Sequence, residues 1–242
     1  TATLASNNTY SNRRAKVGDV VTLTIVASEN IIDPPTVTMG TTGNMSAVTP
    51  SGAGTNWSVA YTVQDGDTEE NLRFTFDFSD LAANAGTRIT STTDSNPVAV
   101  DKTATDLTTI VVDLNSGSDS GVSDSDNLTN DTTPTFSVAG LTAIGAVGDS
   151  LFLVIGTDTI SRKLVTGNSV SFTSTTLGNQ VLPYSATVVS RDQTGNRSDP
   201  TSALKFRIDT QTPGTGNVIN LLTEDDSGFL NTFNFLIQSN LP

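Results

Sequence analysis

The sequence predicts an all-β protein: two β-sandwiches arranged end to end, followed by a short third segment. Three observations point there. Turn-forming Thr, Ser, Asn, Asp and Gly are spread evenly along the 242 residues, and such density favours many short strands over long helices. Apolar residues fall in short runs, several at period two, and no window sustains helical periodicity beyond a turn or two. The length suits two ordinary domains and exceeds one small sandwich.

Residues 1–103 read as the first sandwich. A short edge segment at 1–5 and a polar turn at 7–18 lead into a strand at 19–28, where Val21, Leu23, Ile25 and Ala27 alternate onto one face. Pro34 and Pro35 end that pairing, and residues 36–39 make a short strand. Trp57, Val59, Tyr61 and Val63 then recur at period two, as do Leu72, Phe74, Phe76 and Phe78. These rows are the expected core, Trp57 included. Residues 88–92 and 98–100 supply the last strand.

Residues 104–211 repeat the scheme. Strands are expected at 107–112, 134–138, 150–155, 159–164, 169–172, 184–190 and 204–208, with Tyr184, Ala186 and Val188 facing inward. Tyr184, near its strand's start, is placed to bond a nearby backbone group, as a tyrosine corner does. Residues 212–242 open a third unit or form a docking tail. Phe229, Phe233, Phe235, Leu236 and Ile237 are too apolar to be left in water. They must pack on the second sandwich, continue into a further domain, or insert against a neighbouring chain.

Internal repetition supports this division. Val100-Asp101 and Ile208-Asp209 each close a strand with an aspartate, 108 residues apart. An acidic Ser-Gly turn follows each, at Asp119-Ser120-Gly121 and Asp226-Ser227-Gly228. A loop precedes each final strand, Asp80-Leu-Ala-Ala-Asn-Ala-Gly86 and Asp192-Gln-Thr-Gly-Asn-Arg-Ser198. Asp80 and Asp192 are expected to shape these loops by accepting backbone N–H bonds, as in an Asx turn.

The net charge of −13 is divided evenly, with eleven acids and six bases in residues 1–103 and the same counts in 104–211. No basic stripe exists to displace counterions from phosphate, which excludes a nucleic-acid role. Uniform acidity keeps a long molecule soluble and attracts divalent cations. Cys and His are both absent, which removes disulfides, thiolate and imidazole metal sites, and His-based triads. The sequence contains no signal peptide, membrane-spanning run or lipidation motif, and it reads as a fragment of something longer.

One loop concentrates the charge. Asp113, Asp119, Asp124, Asp126 and Asp131 are interleaved with Asn115, Asn127 and Asn130, and no Lys or Arg offsets them. Such carboxylates repel one another unless they are hydrated or share a cation. Hard oxygen ligands at short irregular spacing suit Ca²⁺ rather than zinc or copper. The spacing is not that of an EF-hand, since no bidentate Glu closes a twelve-residue loop. A solvated acidic loop is the alternative.

These residues together resemble the bacterial immunoglobulin-like repeats of giant secreted surface adhesins. Residues 1–101 look like the type with Ala-Lys-Val-Gly-Asp-Val-Val-Thr-Leu-Thr near the front and Phe-Ser-Asp-Leu-Ala-Ala-Asn-Ala-Gly near the end. Residues 106–209 look like the type marked by Asp-Ser-Asp-Asn-Leu-Thr-Asn-Asp-Thr-Thr-Pro-Thr-Phe and Asp-Gln-Thr-Gly-Asn-Arg-Ser. The resemblance implies a tandem, non-enzymatic extracellular rod that carries a binding tip away from the cell surface. Neighbouring repeats are its partners, and calcium stiffens its junctions. It assigns Asp101, Asp113, Asp119, Asp124, Asp126 and Asp131 to a first junction, and Asp209, Asp225 and Asp226 to a second. The third copy departs from the pattern, with Phe233 and Gln238 near the places of Asp126 and Asp131.

Other functions are weighed on the same residues. Catalysis would fall to carboxylate pairs among Asp65, Asp67, Glu69 and Glu70, which sit in a turn where surface charge is expected anyway. A carbohydrate-binding module would need exposed aromatics, whereas Trp57 and the Phe row sit at core positions. A self-assembling fibre would dock the 214–242 segment into a neighbour.

Overall fold

The computed structural model describes residues 1–212 except Asp33 and Val181, together with the backbone of 218–219 and 235–236. Among the described residues every regular element is a strand. Asp225, Asp226 and most of the apolar 229–237 stretch lie outside them.

The first sandwich contains β1 (Ala2–Ser6), β2 (Arg14–Ala15), β3 (Val20–Val26), β4 (Thr36–Gly40), β5 (Ser46–Val48), β6 (Ser51–Ala53), β7 (Asn56–Thr62), β8 (Arg73–Asp77) and β9 (Ala99–Val100). One sheet has the order β1-β3-β7-β6 and the other β5-β4-β8. The β3–β7 register sets Val21 opposite Tyr61, Leu23 opposite Val59 and Ile25 opposite Trp57. Period two therefore turns both apolar rows to one face, where they meet Val37, Met39, Phe74 and Phe76 from the other sheet. Trp57 is 2% exposed, as its core placement requires, and its indole N–H donates to the Gly54 carbonyl at 3.1 Å. Residues 88–92 contribute only the bridge of Ile89 to Phe76.

The second sandwich contains β10 (Val112–Leu114), β11 (Leu128–Thr129), β12 (Thr135–Ala139), β13 (Ser150–Ile155), β14 (Asp158–Leu164), β15 (Ser169–Thr173), β16 (Tyr184–Arg191) and β17 (Leu204–Ile208). Its sheets run β10-β12-β15 and β11-β17-β16-β13-β14. Phe136, Phe172 and Phe206 are fully buried, with Phe136 edge-on to Phe206 at 5.1 Å. Tyr184 stacks on Phe206 at 5.2 Å and donates its hydroxyl to the Gly178 carbonyl at 2.8 Å, as expected of a tyrosine corner. The strand expected at 107–112 begins only at Val112. Before it, the Asp106 carboxylate takes the Thr108 N–H and hydroxyl, and Ile110 closes a turn onto Leu107. That local capping competes with the ladder while still burying Leu107 and Ile110. A last pair, β18 (Val218–Ile219) and β19 (Phe235–Leu236), is antiparallel.

Both sandwiches end alike. β9 runs parallel to β2 with Val100 beside Ala15, and β17 runs parallel to β11 with Ile208 beside Thr129. The next N–H, of Asp101 or Asp209, donates to the Ala15 or Thr129 carbonyl at 2.9 and 2.8 Å. This places two aspartates at equivalent strand ends.

Candidate functional site

Asp101 sits where the two cores meet. Its Oδ2 accepts the Arg14 guanidinium at 3.1 Å and the Thr194 hydroxyl at 2.7 Å. The Asn196 amide donates to its carbonyl at 2.9 Å and approaches Oδ1 at 3.4 Å. Asn8 closes the contact from the first sandwich: its amide donates to Asp19 Oδ2 at 2.7 Å and to the Thr194 carbonyl at 2.9 Å. Beside it the Tyr10 ring lies over Gly195, where a Cβ would come within 2.4 Å of Cε2, and the Arg191 guanidinium stacks on the same ring at 4.7 Å. Gly195 has φ +93°, so neither the turn nor the ring contact tolerates a side chain there.

The Asp192 loop that reaches Asp101 is held from within. Asp192 Oδ1 accepts the Thr194 and Asn196 N–H groups at 2.8 and 2.9 Å, and the Asn196 amide returns to Oδ2 at 2.9 Å. Asp192 thus shapes its loop, as the motif suggested. The 64–71 turn grips the connecting segment from the other side. The Lys102 ammonium donates to the Asp65 carbonyl at 2.6 Å and the Lys102 N–H to Glu69 at 2.8 Å. Glu70 pairs with Arg73 at 3.4 Å. Asp67 is buried and accepts Thr41, Asn44, Tyr61 and the Gln64 N–H.

Asp149 adds a third carboxylate near Asp101 and Asp192. Burial is the main reason its pKa stands above the usual carboxylate value. The Thr105 hydroxyl at 2.5 Å opposes the shift, Asp192 and Asp101 reinforce it, and Arg14 opposes it. Sequence reading missed Asn8, Tyr10 and Asp149, for none stands in an acidic or repeated motif.

The acidic 113–131 loop lies elsewhere, which corrects its expected place at the first junction. β10 carries the chain along the second sandwich away from Asp101. The loop therefore ends beside Asp209, with the Arg207 N–H donating to the Asn127 carbonyl at 2.9 Å. Asp113 faces outward from β10, and Asp124 and Asp126 are exposed. Asp131 accepts the Ser118 hydroxyl at 2.9 Å and the Thr133 N–H at 2.8 Å. Asp119 is 3% exposed. Its Oδ1 and that of Asn127 are buried without a hydrogen-bond partner, although the Asn127 N–H approaches Asp119 Oδ2 at 3.3 Å.

Among the described residues no group of three or more acidic side chains is arranged to hold a metal. The two orphan oxygens are nonetheless hard donors of the kind Ca²⁺ takes, and leaving each unmet costs about 1–3 kcal/mol. Asp119 and Asn127 fit such an ion, completed by carbonyls or water. Asp101 fits less well, because Arg14 already neutralises it.

No curated protein matches this chain. Among solved structures it is similar to the fibronectin(III)-like modules of Clostridium thermocellum CbhA, at 12% identity and TM-score 0.37, covering 85% of this chain and 94% of that one. It is similar to the Bacteroides ovatus SGBP-B from a mixed-linkage glucan utilization locus, at 16% identity and TM-score 0.24, covering 81% of this chain and 43% of that one. It is also similar to red sea bream transglutaminase, at 8% identity and TM-score 0.29, over 87% of this chain and 31% of that one. These distant likenesses carry nothing about chemistry. Residues 106–210, the second sandwich, match the model of the bacterial Ig-like domain family.

Proposed function

We propose that this chain is a non-catalytic extension module of an extracellular bacterial surface adhesin or fibre, in which Ig-like sandwiches in tandem are locked at their joints. The observation that carries the reading is the Asp101 hub. One carboxylate and its own carbonyl take donors from Arg14 of the first sandwich and from Thr194 and Asn196 of the second. A flexible linker would leave those groups in water. Here the connecting residues are gripped from both sides, which suits a part that transmits position rather than one that turns over substrate. The bacterial Ig-like match over residues 106–210 supports the surface placement.

Calcium belongs to this proposal at the Asp209 end. Asp119 and Asn127 would hold the ion, which would supply charge compensation and rigidity to the loop. Burial of Trp57 removes the aromatic platform that a carbohydrate-binding reading would use first.

Small-angle scattering of the dilute chain tests the joint. The native protein should give one sharply defined maximum dimension, and Asp101→Ala combined with Thr194→Ala should broaden the distance distribution without unfolding either sandwich. Equal profiles for the two would mean that the hub does not set the orientation.

A further inference from the structure

The loop that docks on Asp101 has a twin. Asp80 and Asp192 each donate their N–H to the carbonyl four residues on, Asn84 at 2.9 Å and Asn196 at 3.0 Å. Asp80 Oδ1 accepts the Ala82 and Asn84 N–H groups at 2.9 and 2.8 Å, and the Asn84 amide returns to Oδ2 at 2.7 Å. These are the bonds that Asp192 makes with Thr194 and Asn196. Ala83, at φ 67°, takes the left-handed place of Gly195. In the second sandwich this knuckle is covered by Asp101, Asn8 and Tyr10. In the first, residues 81–85 are exposed, Leu81 to 71%, beside a hollow of about 360 Å³ floored by Ile25, Phe76 and Phe78.

The matching half of the contact stands at the far end of the second sandwich. Asp209 occupies the strand-end position of Asp101, is exposed, and among the described residues its carboxylate accepts only the Gln211 N–H at 2.9 Å. Among the described residues the chain therefore holds an uncovered knuckle at the Val26 end of β3 and an uncovered aspartate after β17. We propose that the 80–86 knuckle receives the Asp209 end of a second copy of this chain, giving head-to-tail association. Such a contact is heterologous, so each associated pair leaves one knuckle and one aspartate end free for a further copy.

The differences between the twins fit that partner. Ala82 lacks the Thr194 hydroxyl, so one bond to the aspartate is lost. The 115–127 loop beside Asp209 has no aromatic residue, so nothing there needs the bare backbone that Gly195 offers Tyr10. Its only large apolar side chain, Val122, is fully exposed and suits the exposed Leu81. Both surfaces are acidic, with Glu29 and Asp80 at the hollow and Asp124, Asp126 and Asp209 at the other end. Screening by salt should strengthen the association.

This inference rests on reading the Asp101 contact as a joint, but its test is concentration dependence, which the dilute scattering experiment does not probe. A joint held by a short connection needs only a weak intrinsic affinity, of the order of millimolar. Sedimentation of the full chain at rising concentration, in low and high salt, should show the average coefficient climbing, more steeply in salt. Leu81→Asp and Asp209→Ala, both at exposed positions, should each remain monomeric with an unchanged circular dichroism spectrum. Mixed together they should form dimers, because the intact tail of one meets the intact head of the other. Monomers at every native concentration overturn the proposal, as does association that survives either substitution or a mixture that fails to pair.

Discussion

The Thr194 hydroxyl lies 2.7 Å from Asp101 Oδ2, across 93 residues of sequence. The Arg14 guanidinium shares the same oxygen at 3.1 Å. A hydroxyl of the second sandwich and a cation of the first thus share one carboxylate oxygen in the connecting segment, and the cation offsets its charge. Hydrogen bonds to a charged acceptor are worth about 1.5–3 kcal/mol, so this pair contributes measurably to the orientation of the two cores.

A double-mutant cycle isolates that contribution. Thr194→Val keeps the shape and removes the hydroxyl, and Asp101→Asn keeps the size and removes the charge. Their coupling free energy from denaturant unfolding should reach about 1 kcal/mol, within the range seen for groups in contact. Additive effects would mean that the bond contributes no coupling.

Asp149 sets a pH dependence of unusual sign. Its folded pKa is raised, first by burial and then by Asp192 and Asp101, so the native state holds this proton more tightly than the unfolded chain. Between the unfolded value of 3.8 and the raised folded value, the native state binds more protons, and stability from this group falls as pH rises. The penalty is complete above the folded pKa and absent below the unfolded one. Asp149→Asn should therefore raise the melting temperature at neutral pH, and the gain should shrink as pH is lowered through that window. A constant gain at all pH values would assign the effect to packing instead.

Asp67 behaves in the opposite sense. Burial alone would raise its pKa, but the Gln64 N–H, the Tyr61 hydroxyl, Asn44 and Thr41 outweigh burial and hold it low. Its contribution is present above the unfolded pKa and lost as pH falls through the folded one. Burial, followed by the hydrogen bond and charge of Asp67, raises the Tyr61 phenol in turn. Asp67→Ala strands these donors and should cost about 3 kcal/mol or more in the first sandwich, read as a lower denaturant midpoint. A loss below about 1 kcal/mol, the usual scale of a surface hydrogen bond, would mean that water replaces the carboxylate.

The cores were legible because period two maps directly onto burial: Trp57, Val59 and Tyr61 alternate in sequence and in space. The Asp80 and Asp192 loops were legible as repeats, down to their Asx-type bonds. The joint was not. Asn8 meets Thr194 across 186 residues, and nothing local to Asn8 or Tyr10 announces a partner so distant. Asp149 lies between Gly148 and Ser150 with no acidic neighbour in sequence, and its two partner carboxylates come from separate loops. The acidic loop was recognised by composition but misplaced, because nearness to the connecting segment in sequence says nothing of the 106–114 stretch, which carries the chain to the Asp209 end before the loop begins.

That displacement changes what calcium is expected to do. An ion at Asp119 and Asn127 would stabilise the 113–131 loop at the Asp209 end and leave the Asp101 joint untouched. Both Oδ1 atoms are buried without partners, so binding recovers desolvation already incurred in the folded state. Saturation at ~100 times the dissociation constant would add about 2.7 kcal/mol if the unfolded chain does not bind. Calcium should accordingly raise the melting temperature of the second sandwich, chelator should reverse it, and Asp119→Ala should abolish the response while Asp101→Asn preserves it. The distance distribution across the Asp101 joint should be the same with and without the ion. A calcium response that survives Asp119→Ala, or one that requires Asp101, would place the ion away from this pair of oxygens.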